Sequence, residues 1–395
     1  CEQTPHTLVQ VVPGPRDLVI EKGRHIWVEI GSEPVRGSPN YHFITRRSEA
    51  RRVLERFRPD LIESQCPWFL PWTAIYYRRT YPRTTLVAGY NTDFPNAQVH
   101  RVANDLSGPA VAWGARKLSL GYLEITYREF DWVYALNEAS RALLNSCDCP
   151  RVDVLALGVD TARFNPGRRD PALRARLGLP GTGPLLVYAG RLDNEKRADR
   201  LLALLRALPR ELGAGLVMIG DGKLAGRLRD EAAAEGLPVA FTGFLNDRDE
   251  LARTLASCDI YVSAMADETF GVSVIEAQAS GLPVVGVASG AMLDRVPGAF
   301  GRLGPVDDIA AMAANVLAIW GADHRAMGLA AAAHVHGRFT WQSTFDTLVG
   351  EIYPRARAQA RARRRRHREA LLPNPVAALE ARLVAALSQD RAPLG

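Results

Sequence analysis

Short apolar runs rich in Val, Ile and Leu alternate along this chain with longer stretches in which apolar residues recur every three or four positions. The short runs are typical of strands, and the longer stretches are typical of amphipathic helices. Helices are predicted over 48–57 and much of 97–130 in the first half. The strands predicted there are "LVQVV" (8–12), "IWVEI" (26–30), "DLIES" (60–64), "TLVAGY" (85–90) and "DWVYAL" (131–136). This alternation indicates a parallel α/β sheet.

A second series begins after the Gly- and Pro-rich stretch 157–184, which is predicted to form a hinge with one short helix. Its strands, each followed by a loop and a helical pattern, are "LLVYAG" (185–190), "GLVMIG" (215–220), "VAFTG" (239–243), "CDIYVSA" (258–264) and "LPVVGVA" (282–288). The fold class is therefore α/β, with two doubly wound domains and a cleft between them. Ligands of such sheets bind beyond the carboxyl ends of the strands.

The stretch "DETFGVSVIEAQASGLPVV" (267–285) lies at such a strand end and carries two glutamates, Glu268 and Glu276. A helix is predicted to begin near Gly271, where free N–H groups form an anion site that a phosphate can approach closely. Carboxylates on both sides of a diphosphate would suit the hydroxyl groups of a nucleotide sugar. Alternatively, Glu268 favours the helix start through the macrodipole and Glu276 is a solvated helix residue.

Two cations follow another strand of the same sheet, Arg191 and Lys196 in "GRLDNEK" (190–196). An arginine fork and a lysine at that edge would neutralise a diphosphate. Taken singly, each would more often be a solvated loop charge. Together with the glutamate-flanked helix start, they favour a functional interpretation.

The composition is that of a globular protein, with 395 residues, 47% of them hydrophobic and 23% charged. No apolar run approaches the roughly 20 residues that span a bilayer, and no signal-like start is present, which predicts a cytoplasmic location. Residues 355–370 contain eight arginines and one glutamate, and their net positive charge exceeds the net charge of the whole chain, +6. Because the rest of the chain is nearly neutral, a nucleic-acid partner is not expected. The basic tail either contacts the anionic inner face of a membrane peripherally or is solvated without a partner.

At this point the chain resembles the retaining family 4 glycosyltransferases of the GT-B fold, also called glycosyl transferases group 1. The resemblance rests on "LGVDTARFNP", "YAGRLDNEK", "VMIGDG", "FTGFLNDRDELARTLASCDIYVSA" and "ETFGVSVIE", which occur in that order, and more thinly on "RPDLIESQCPWFLPW" and "YNTDFP". It implies two Rossmann-like domains. The implied order is an acceptor-binding domain (1–160), a nucleotide-sugar-binding domain (161–340), a C-terminal crossover helix (341–354) and an Arg-rich tail (355–395).

The resemblance also implies a role for each matching residue. Glu268 would bind hydroxyls of the transferred sugar, and Glu276 would bind the ribose. The backbone of Phe270, Gly271 and Val272 (270–272) would hold the sugar and the diphosphate. Arg191 and Lys196 would stabilise the departing nucleoside diphosphate, whose negative charge then meets preformed cations.

Such an enzyme would work without metal or other cofactor. Asp247-Arg248-Asp249 imitates a metal-binding Asp-x-Asp, but Asp247 with Glu250 is better interpreted as a helix N-cap pair. Cys147-Asp148-Cys149 has neither a second cysteine pair nor a nearby histidine to complete a tetrahedral site. The sequence therefore predicts no metal site.

Two features depart from the family pattern. The first strand and the Gly-Gly loop of the first domain are not found before "HTLVQVVPGP", and are expected to be missing. Asn91 stands where many relatives have a histidine beside the reacting sugar. An asparagine can donate a hydrogen bond to a sugar or phosphate oxygen but cannot titrate near neutral pH. His100, nine residues later, is a less favoured substitute.

The sequence thus predicts a retaining hexosyltransferase that uses a nucleotide sugar and a glycan or lipid acceptor. A lipid or lipid-linked acceptor is favoured by "NTDFP", which is similar to the "HTDFP" of transferases acting on glycolipids. Two alternatives remain open: a donor-binding module that has lost transfer, and a nucleotide-sugar epimerase of the same fold.

Overall fold

The computed structural model describes residues 4–35, 38–100, 103–104, 107–149 and 151–371. These residues form two compact units. The first contains the described residues up to Gly89, Ile125–Val133 and those from Ile352 onward; the second contains Tyr90–Glu124 and Tyr134–Glu351. The predicted domain boundaries at 160 and 340 remain a prediction.

The strands described are β1 (Leu8–Gly14), β2 (Leu18–Lys22), β3 (His25–Gly31), β4 (Pro34–Val35), β5 (Ser38–His42), β6 (Leu61–Ser64), β7 (Thr85–Tyr90), β8 (Trp132–Ala135), β9 (Val152–Val154), β10 (Leu185–Ala189), β11 (Gly215–Ile219), β12 (Val239–Gly243), β13 (Ile260–Val262), β14 (Val284–Val287) and β15 (Gly301–Gly304).

The α-helices described are α1 (Arg47–Phe57), α2 (Leu70–Thr80), α3 (Pro109–Tyr127), α4 (Glu138–Ser146), α5 (Leu173–Arg176), α6 (Asp199–Ala207), α7 (Ala225–Ala234), α8 (Arg248–Ala256), α9 (Val272–Ala279), α10 (Met292–Arg295), α11 (Ile309–Trp320), α12 (His324–Arg338), α13 (Trp341–Thr347) and α14 (Tyr353–Leu371). Phe94–His100 and Leu348–Ile352 are π-helical, and Pro166–Arg168 and Arg210–Leu212 form 3-10 turns.

The second unit contains a six-stranded sheet in the order β12-β11-β10-β13-β14-β15, with every neighbouring pair parallel. Numbered within the sheet, this order is 3-2-1-4-5-6, the Rossmann arrangement. β10, β11, β13 and β14 are buried along their whole length, as expected for strands covered on both faces. All five strands predicted in this half are confirmed, whereas β15 was not predicted.

Leucines dominate the core beneath this sheet. Leu201, Leu202, Leu204 and Leu205 of α6 are buried against β10 and β11, and α11 packs on the same cluster. Each fully buried Leu contributes on the order of 1.5–3 kcal/mol relative to an exposed one. This packing fixes the strands whose ends form the candidate site.

The first unit begins with a three-stranded sheet in the order β1-β3-β2. β1 and β3 are parallel, but β2 and β3 form an antiparallel hairpin, with Gly23 at φ 57° between them. The two strands predicted here, at 8–12 and 26–30, are thus parallel as expected, and the antiparallel pair comes from β2, which was not predicted. β2, "LVIEK", lacks a clear apolar period and is mostly exposed, so its pattern gave no strand signal.

The helical region predicted within 97–130 is only partly continuous. A π-helical segment, Phe94–His100, precedes α3. Between them Gly108 has φ 83°, a conformation that glycine adopts without steric cost, and α3 begins at the next residue, Pro109.

A buried carboxylate organises the second part of the first unit, where β6 and β7 are parallel. Asp131 accepts the backbone N–H of Leu86 at 2.9 Å and the Nε–H of Arg363 at 2.9 Å. Arg78, which is also buried, lies 3.8 Å from the same carboxylate. Arg363 belongs to α14, so the C-terminal helix is tied to this network.

α14 begins at Tyr353 and runs through Pro354 to Leu371, without a break where the crossover helix was expected to end and the tail to begin. Proline is tolerated here because it occupies the first turn. Ala356 and Ala360 are fully buried, and Arg364 donates to the Arg83 carbonyl at 3.0 Å. Part of the arginine-rich stretch is therefore structural. The rest of the predicted tail, from 372, lies outside the described residues.

Candidate active site

The reversal of strand order in the six-stranded sheet lies between β10 and β13, which are hydrogen-bonded neighbours. In doubly wound sheets, the loops that leave the carboxyl ends of two such strands diverge and open a ligand crevice. Here these loops are 190–198 after β10 and 263–271 after β13. They carry Arg191 and Lys196, and Glu268 and Gly271, respectively.

Backbone hydrogen bonds hold the loop after β10 in place. Gly190 N–H donates to the Ile219 carbonyl at 2.9 Å, and Leu192 N–H donates to the Asp221 carbonyl at 2.9 Å. Lys196 N–H donates to the Asp193 carboxylate at 2.9 Å, which turns the chain back toward the sheet. Lys196 is therefore carried on a fixed backbone.

Lys196 and Glu268 meet at the switch point. Lys196 Nζ lies 3.3 Å from Glu268 Oε2 and 2.9 Å from Met265 Sδ. The other carboxylate oxygen of Glu268 accepts the Gly271 N–H at 3.1 Å. Two residues separated by 72 positions in sequence thus lie together at the start of α9, as the sequence predicted for the same crevice.

The start of α9 has the properties of an anion site. Gly271 is its N-cap residue, with φ 81° and no capping side chain, so the first N–H groups of the helix remain for a ligand. A side chain at this φ would be strained, which explains the glycine. Phe270 is buried, whereas Val272 is exposed beside the helix start.

Glu276 lies in the second turn of α9, and its side chain is only 7% exposed. Burial raises the pKa of Glu276, and Arg248, with which it forms an ion pair, opposes that shift. Arg248 begins α8, and its guanidinium carbon lies 5.0 Å from the centre of the Phe164 ring. Glu276 is therefore not the solvated helix residue of the alternative interpretation.

A pocket of about 500 Å³ opens beside this ion pair. Its lining includes 158–164, Arg248, Val272, Glu276 and 340–341. The volume lies within the usual range for small-molecule sites. Glu276 thus borders a pocket that a nucleoside can enter.

Comparison with known proteins supports the sequence resemblance. The model of Glycosyltransferase Family 4 matches residues 4–163, and that of Glycosyl transferases group 1 matches residues 170–323. A GDP-mannose-dependent alpha-mannosyltransferase of Mycobacterium tuberculosis is 33% identical over 302 residues, which cover 76% of this chain and 74% of that protein. The chain belongs to the family 4 glycosyltransferases.

A second relative of this family 4 glycosyltransferase is the GDP-mannose-dependent alpha-(1-6)-phosphatidylinositol dimannoside mannosyltransferase of Mycobacterium tuberculosis. The two are 34% identical over 236 residues, which cover 60% of this chain. The match spans 58% of that relative's length.

Among solved structures, sucrose-phosphate synthase of Thermosynechococcus elongatus superposes with a TM-score of 0.69 at 19% identity, covering 89% of this chain and 88% of that one. HepE of Anabaena in complex with UDP and glucose gives a TM-score of 0.61 at 17% identity, covering 78% and 81%. These likenesses confirm the GT-B fold of this family 4 glycosyltransferase.

Arg191, another predicted site residue, pairs within its own loop. Its side chain is 60% exposed and pairs with Asp193 and, at 2.8 Å, with Glu195. Arg191 and Lys196 are therefore separate in this family 4 glycosyltransferase, Lys196 toward Glu268 and Arg191 toward solvent. The role assigned to Arg191 remains a prediction.

Asn91 directly follows β7, at the carboxyl end of that strand. Next to it, Asp93 accepts the Asn96 side-chain N–H at 2.6 Å and the Tyr90 hydroxyl at 3.2 Å. Asn96 in turn accepts from Arg116 at 2.6 Å. A polar network thus fixes the turn that carries Asn91, while its role in transfer remains a prediction.

Three side chains near the Glu268–Gly271 loop were not singled out from the sequence as site residues. Arg248 was noted only within a supposed metal motif, although the structure confirms Asp247 as the cap, accepting the Asp249 N–H at 2.8 Å. Asn137 donates to the Thr269 carbonyl at 2.5 Å. Arg295 lies against the Phe270 ring. Asn137 and Arg295 come from distant segments and carry no periodic or motif signal.

Proposed function

We propose that this family 4 glycosyltransferase transfers mannose from GDP-mannose to a lipid or glycolipid hydroxyl, with retention of configuration and without a metal ion. The observation that carries the proposal is the meeting of Lys196, Glu268 and the Gly271 helix start at the sheet's switch point. The two Mycobacterium tuberculosis relatives, both GDP-mannose-dependent, support the donor.

Each part of the donor has a matching group. The diphosphate would accept hydrogen bonds from the N–H groups at the start of α9. It would also form an ion pair with the ammonium of Lys196, which pairs with Glu268 in the structure. Because charge develops on the departing phosphate, cations and N–H groups already in place lower the barrier. Glu268 would then orient the hydroxyl groups of the sugar. Glu276, beside the pocket, would accept hydrogen bonds from the ribose hydroxyl groups.

Metal independence follows from that charge arrangement. Lys196 would lie beside the diphosphate and supply the positive charge that a divalent ion supplies in other transferases, and Arg191 would reach the same edge from the same loop; the Lys196–Glu268 pair at the helix start supports this. Both acidic residues of the Asp-x-Asp sequence have protein partners. Asp247 caps helix α8, and Asp249 forms an ion pair with Arg163 at 3.3 Å. The leaving group is thus stabilised by protein cations alone.

A lipid-linked acceptor fits the similarity to a phosphatidylinositol dimannoside mannosyltransferase and the "NTDFP" turn at Asn91. Within the described residues, no helix is both long and apolar enough to cross a bilayer. We propose that the basic C-terminal region, with eight arginines in 355–370, gives access to a lipid acceptor through peripheral contact with an anionic membrane surface.

A donor panel tests the proposal. GDP-mannose, GDP-glucose, UDP-glucose and UDP-galactose are each incubated with the protein and phosphatidylinositol dimannoside, and products are analysed by mass spectrometry and NMR. We expect mannosylated lipid of retained α configuration and free GDP. Binding without turnover would indicate a donor-binding module, and a changed sugar still attached to its nucleotide would indicate an epimerase; either result would overturn the proposal.

The site is tested in the same assay with Glu268→Gln, which keeps an acceptor for the Gly271 N–H. Loss of the group that orients the reacting sugar is expected to lower turnover about 100-fold. The matched control is Asp267→Asn, which neutralises the adjacent, exposed carboxylate and is expected to leave turnover unchanged. Equal turnover of Glu268→Gln and the wild type would exclude Glu268 from the site.

A further inference from the structure

The donor loop Glu268–Gly271 is held from behind by two other segments of the second unit. Ala291 N–H donates to the Glu268 carbonyl at 2.8 Å. The Asn137 side chain donates to the Thr269 carbonyl at 2.5 Å and is buried. The guanidinium carbon of Arg295 lies 4.4 Å from the centre of the Phe270 ring. Three successive residues of the loop are thus each fixed by a different partner.

Arg295 is the most deeply buried cation in this arrangement, with 6% of its surface exposed. It is placed between two aromatic rings, since its guanidinium carbon also lies 5.1 Å from the centre of the Phe339 ring. Its Nη2–H donates to the Leu136 carbonyl at 2.7 Å, and its own carbonyl accepts from Gln278 at 2.8 Å.

In the described part of the chain, no carboxylate forms an ion pair with Arg295, and its Nε has no hydrogen-bond partner. Burying a charge is costly. The two cation–π contacts, and the carboxylate of the adjacent Asp294, whose charge favours the cation without an ion-pair contact, offset that cost only in part. Burial lowers the pKa of Arg295 to about 10, so the group stays cationic at neutral pH.

A buried cation beneath an anion-binding loop has a direct electrostatic effect. In a poorly solvated interior, a positive charge acts over several ångströms with little screening. Arg295 touches Phe270, the residue before the Gly271 N-cap, so its field adds to that of the α9 N-terminus. The contact with Arg295 also fixes the Phe270 ring, one residue before the Gly271 N-cap.

We propose that Arg295 is a positioning residue for the donor diphosphate, holding the Thr269–Gly271 backbone through the Phe270 ring and adding buried positive charge beneath it. This inference rests on the proposed function, because it assigns the diphosphate to the same loop. A residue of this kind acts on nucleotide affinity without touching the nucleotide.

The test compares Arg295→Met and Arg295→Lys with the wild type. Isothermal titration with GDP gives the affinity, and steady-state assays with GDP-mannose give kcat and KM. We expect Arg295→Met to weaken GDP binding about tenfold or more, which is about 1.4 kcal/mol. Arg295→Lys keeps the charge and the ring contact but lacks the guanidinium N–H that donates to the Leu136 carbonyl, so its GDP affinity should lie between those of Arg295→Met and the wild type.

The control is Arg78→Met, because Arg78 is equally buried, at 7% exposed, but pairs with Glu129 and Asp131 in the first unit. It should lower the melting temperature without changing the GDP affinity of the folded protein. If Arg295→Met folds and binds GDP within twofold of the wild type, the inference is overturned. If Arg295→Met does not fold, Arg295→Gln takes its place, since it removes the charge but keeps an N–H donor for the Leu136 carbonyl, and GDP affinity within twofold of the wild type overturns the inference equally.

The proposed function fails in a different way. If the wild type binds neither GDP nor UDP nor ADP, the proposed function is overturned and this inference with it. If the wild type binds GDP and only the Arg295 comparison shows no difference, the donor site stands and Arg295 is purely structural.

Discussion

Removing the ammonium of Lys196 tests the leaving-group account most directly. Lys196→Met keeps an apolar stem and deletes the ammonium, whose Nζ lies 2.9 Å from Met265 Sδ and 3.3 Å from Glu268 Oε2. Glu268 retains its hydrogen bond from Gly271 N–H, so the loop keeps its main local contact. The substitution therefore isolates the charge.

The expected magnitude follows from the short distance. Two unit charges about 4 Å apart interact by about 4 kcal/mol at an effective dielectric constant of 20. Part of this is already realised when the donor binds, because its diphosphate is charged in the ground state. The rest of this interaction energy is gained only as the sugar–phosphate bond breaks. Losing it should lower kcat by about 100- to 1000-fold, as the loss of a hydrogen-bond donor from an oxyanion hole does.

Stability should change little, since the Lys196–Glu268 pair is partly exposed and such pairs contribute up to about 1 kcal/mol. In a unit of this size, that corresponds to a melting shift of about 2–4 °C. The matched control is Arg197→Met, which removes the next cation along the chain, whose guanidinium lies 2.7 Å from Asp307.

The assay measures GDP release from GDP-mannose in the presence of acceptor, with circular dichroism as the check on folding. Arg197→Met should keep kcat within about twofold of the wild type. A folded Lys196→Met variant with kcat within threefold of the wild type would refute the leaving-group account. Equal losses in both variants would instead show that the loop, rather than the charge, had been damaged.

Three further outcomes are expected. Activity should survive EDTA, because protein cations stabilise the leaving group; complete loss restored by manganese would contradict this. Burial raises the folded-state pKa of Glu276 above its ordinary 4.5, so ionisation weakens the fold as pH rises through that range. Glu276→Gln should accordingly melt higher than the wild type at pH 7 but not at pH 3, while binding GDP more weakly; equal affinity would exclude Glu276 from the donor site. Replacing the exposed arginines Arg357, Arg361 and Arg366 by glutamine should reduce sedimentation with phosphatidylinositol vesicles but not GDP binding, whereas cutting at 355 should destabilise the first unit by removing the Arg363–Asp131 contact; equal sedimentation of the wild type and the triple variant would remove the membrane role.

The second unit was more predictable than the first, and the reason is burial. Its central strands are covered on both faces and appear as continuous apolar runs such as "LLVYA" and "GLVMI". By contrast, β2 is largely exposed, and its pairing with β3 depends on a turn at Gly23 rather than on an apolar run. Hydrophobic patterning therefore predicts buried strands such as β10 and β11, but not an exposed strand such as β2.

The site was predictable as far as its residues lie at strand ends. Lys196 and Glu268 follow β10 and β13, so the sheet order brings them together. Nothing local in the sequence shows that Arg191 pairs within its own loop, because that depends on the rotamers of neighbouring acids. Arg295 was equally invisible, since "LDRVP" has the appearance of an exposed loop.

The charges around the candidate site imply that donor binding is an exchange of partners. Lys196 pairs with Glu268, Arg191 with Asp193, and Arg248 with Glu276. Under the proposed function, a diphosphate that recruits Lys196 would release Glu268 toward the sugar, and a ribose that reaches Glu276 would share it with Arg248. The paired carboxylates would then reduce the affinity of the site for simple phosphate. A complete nucleotide sugar would be preferred, because it offers hydroxyls to the two glutamates as well as negative charge to Lys196.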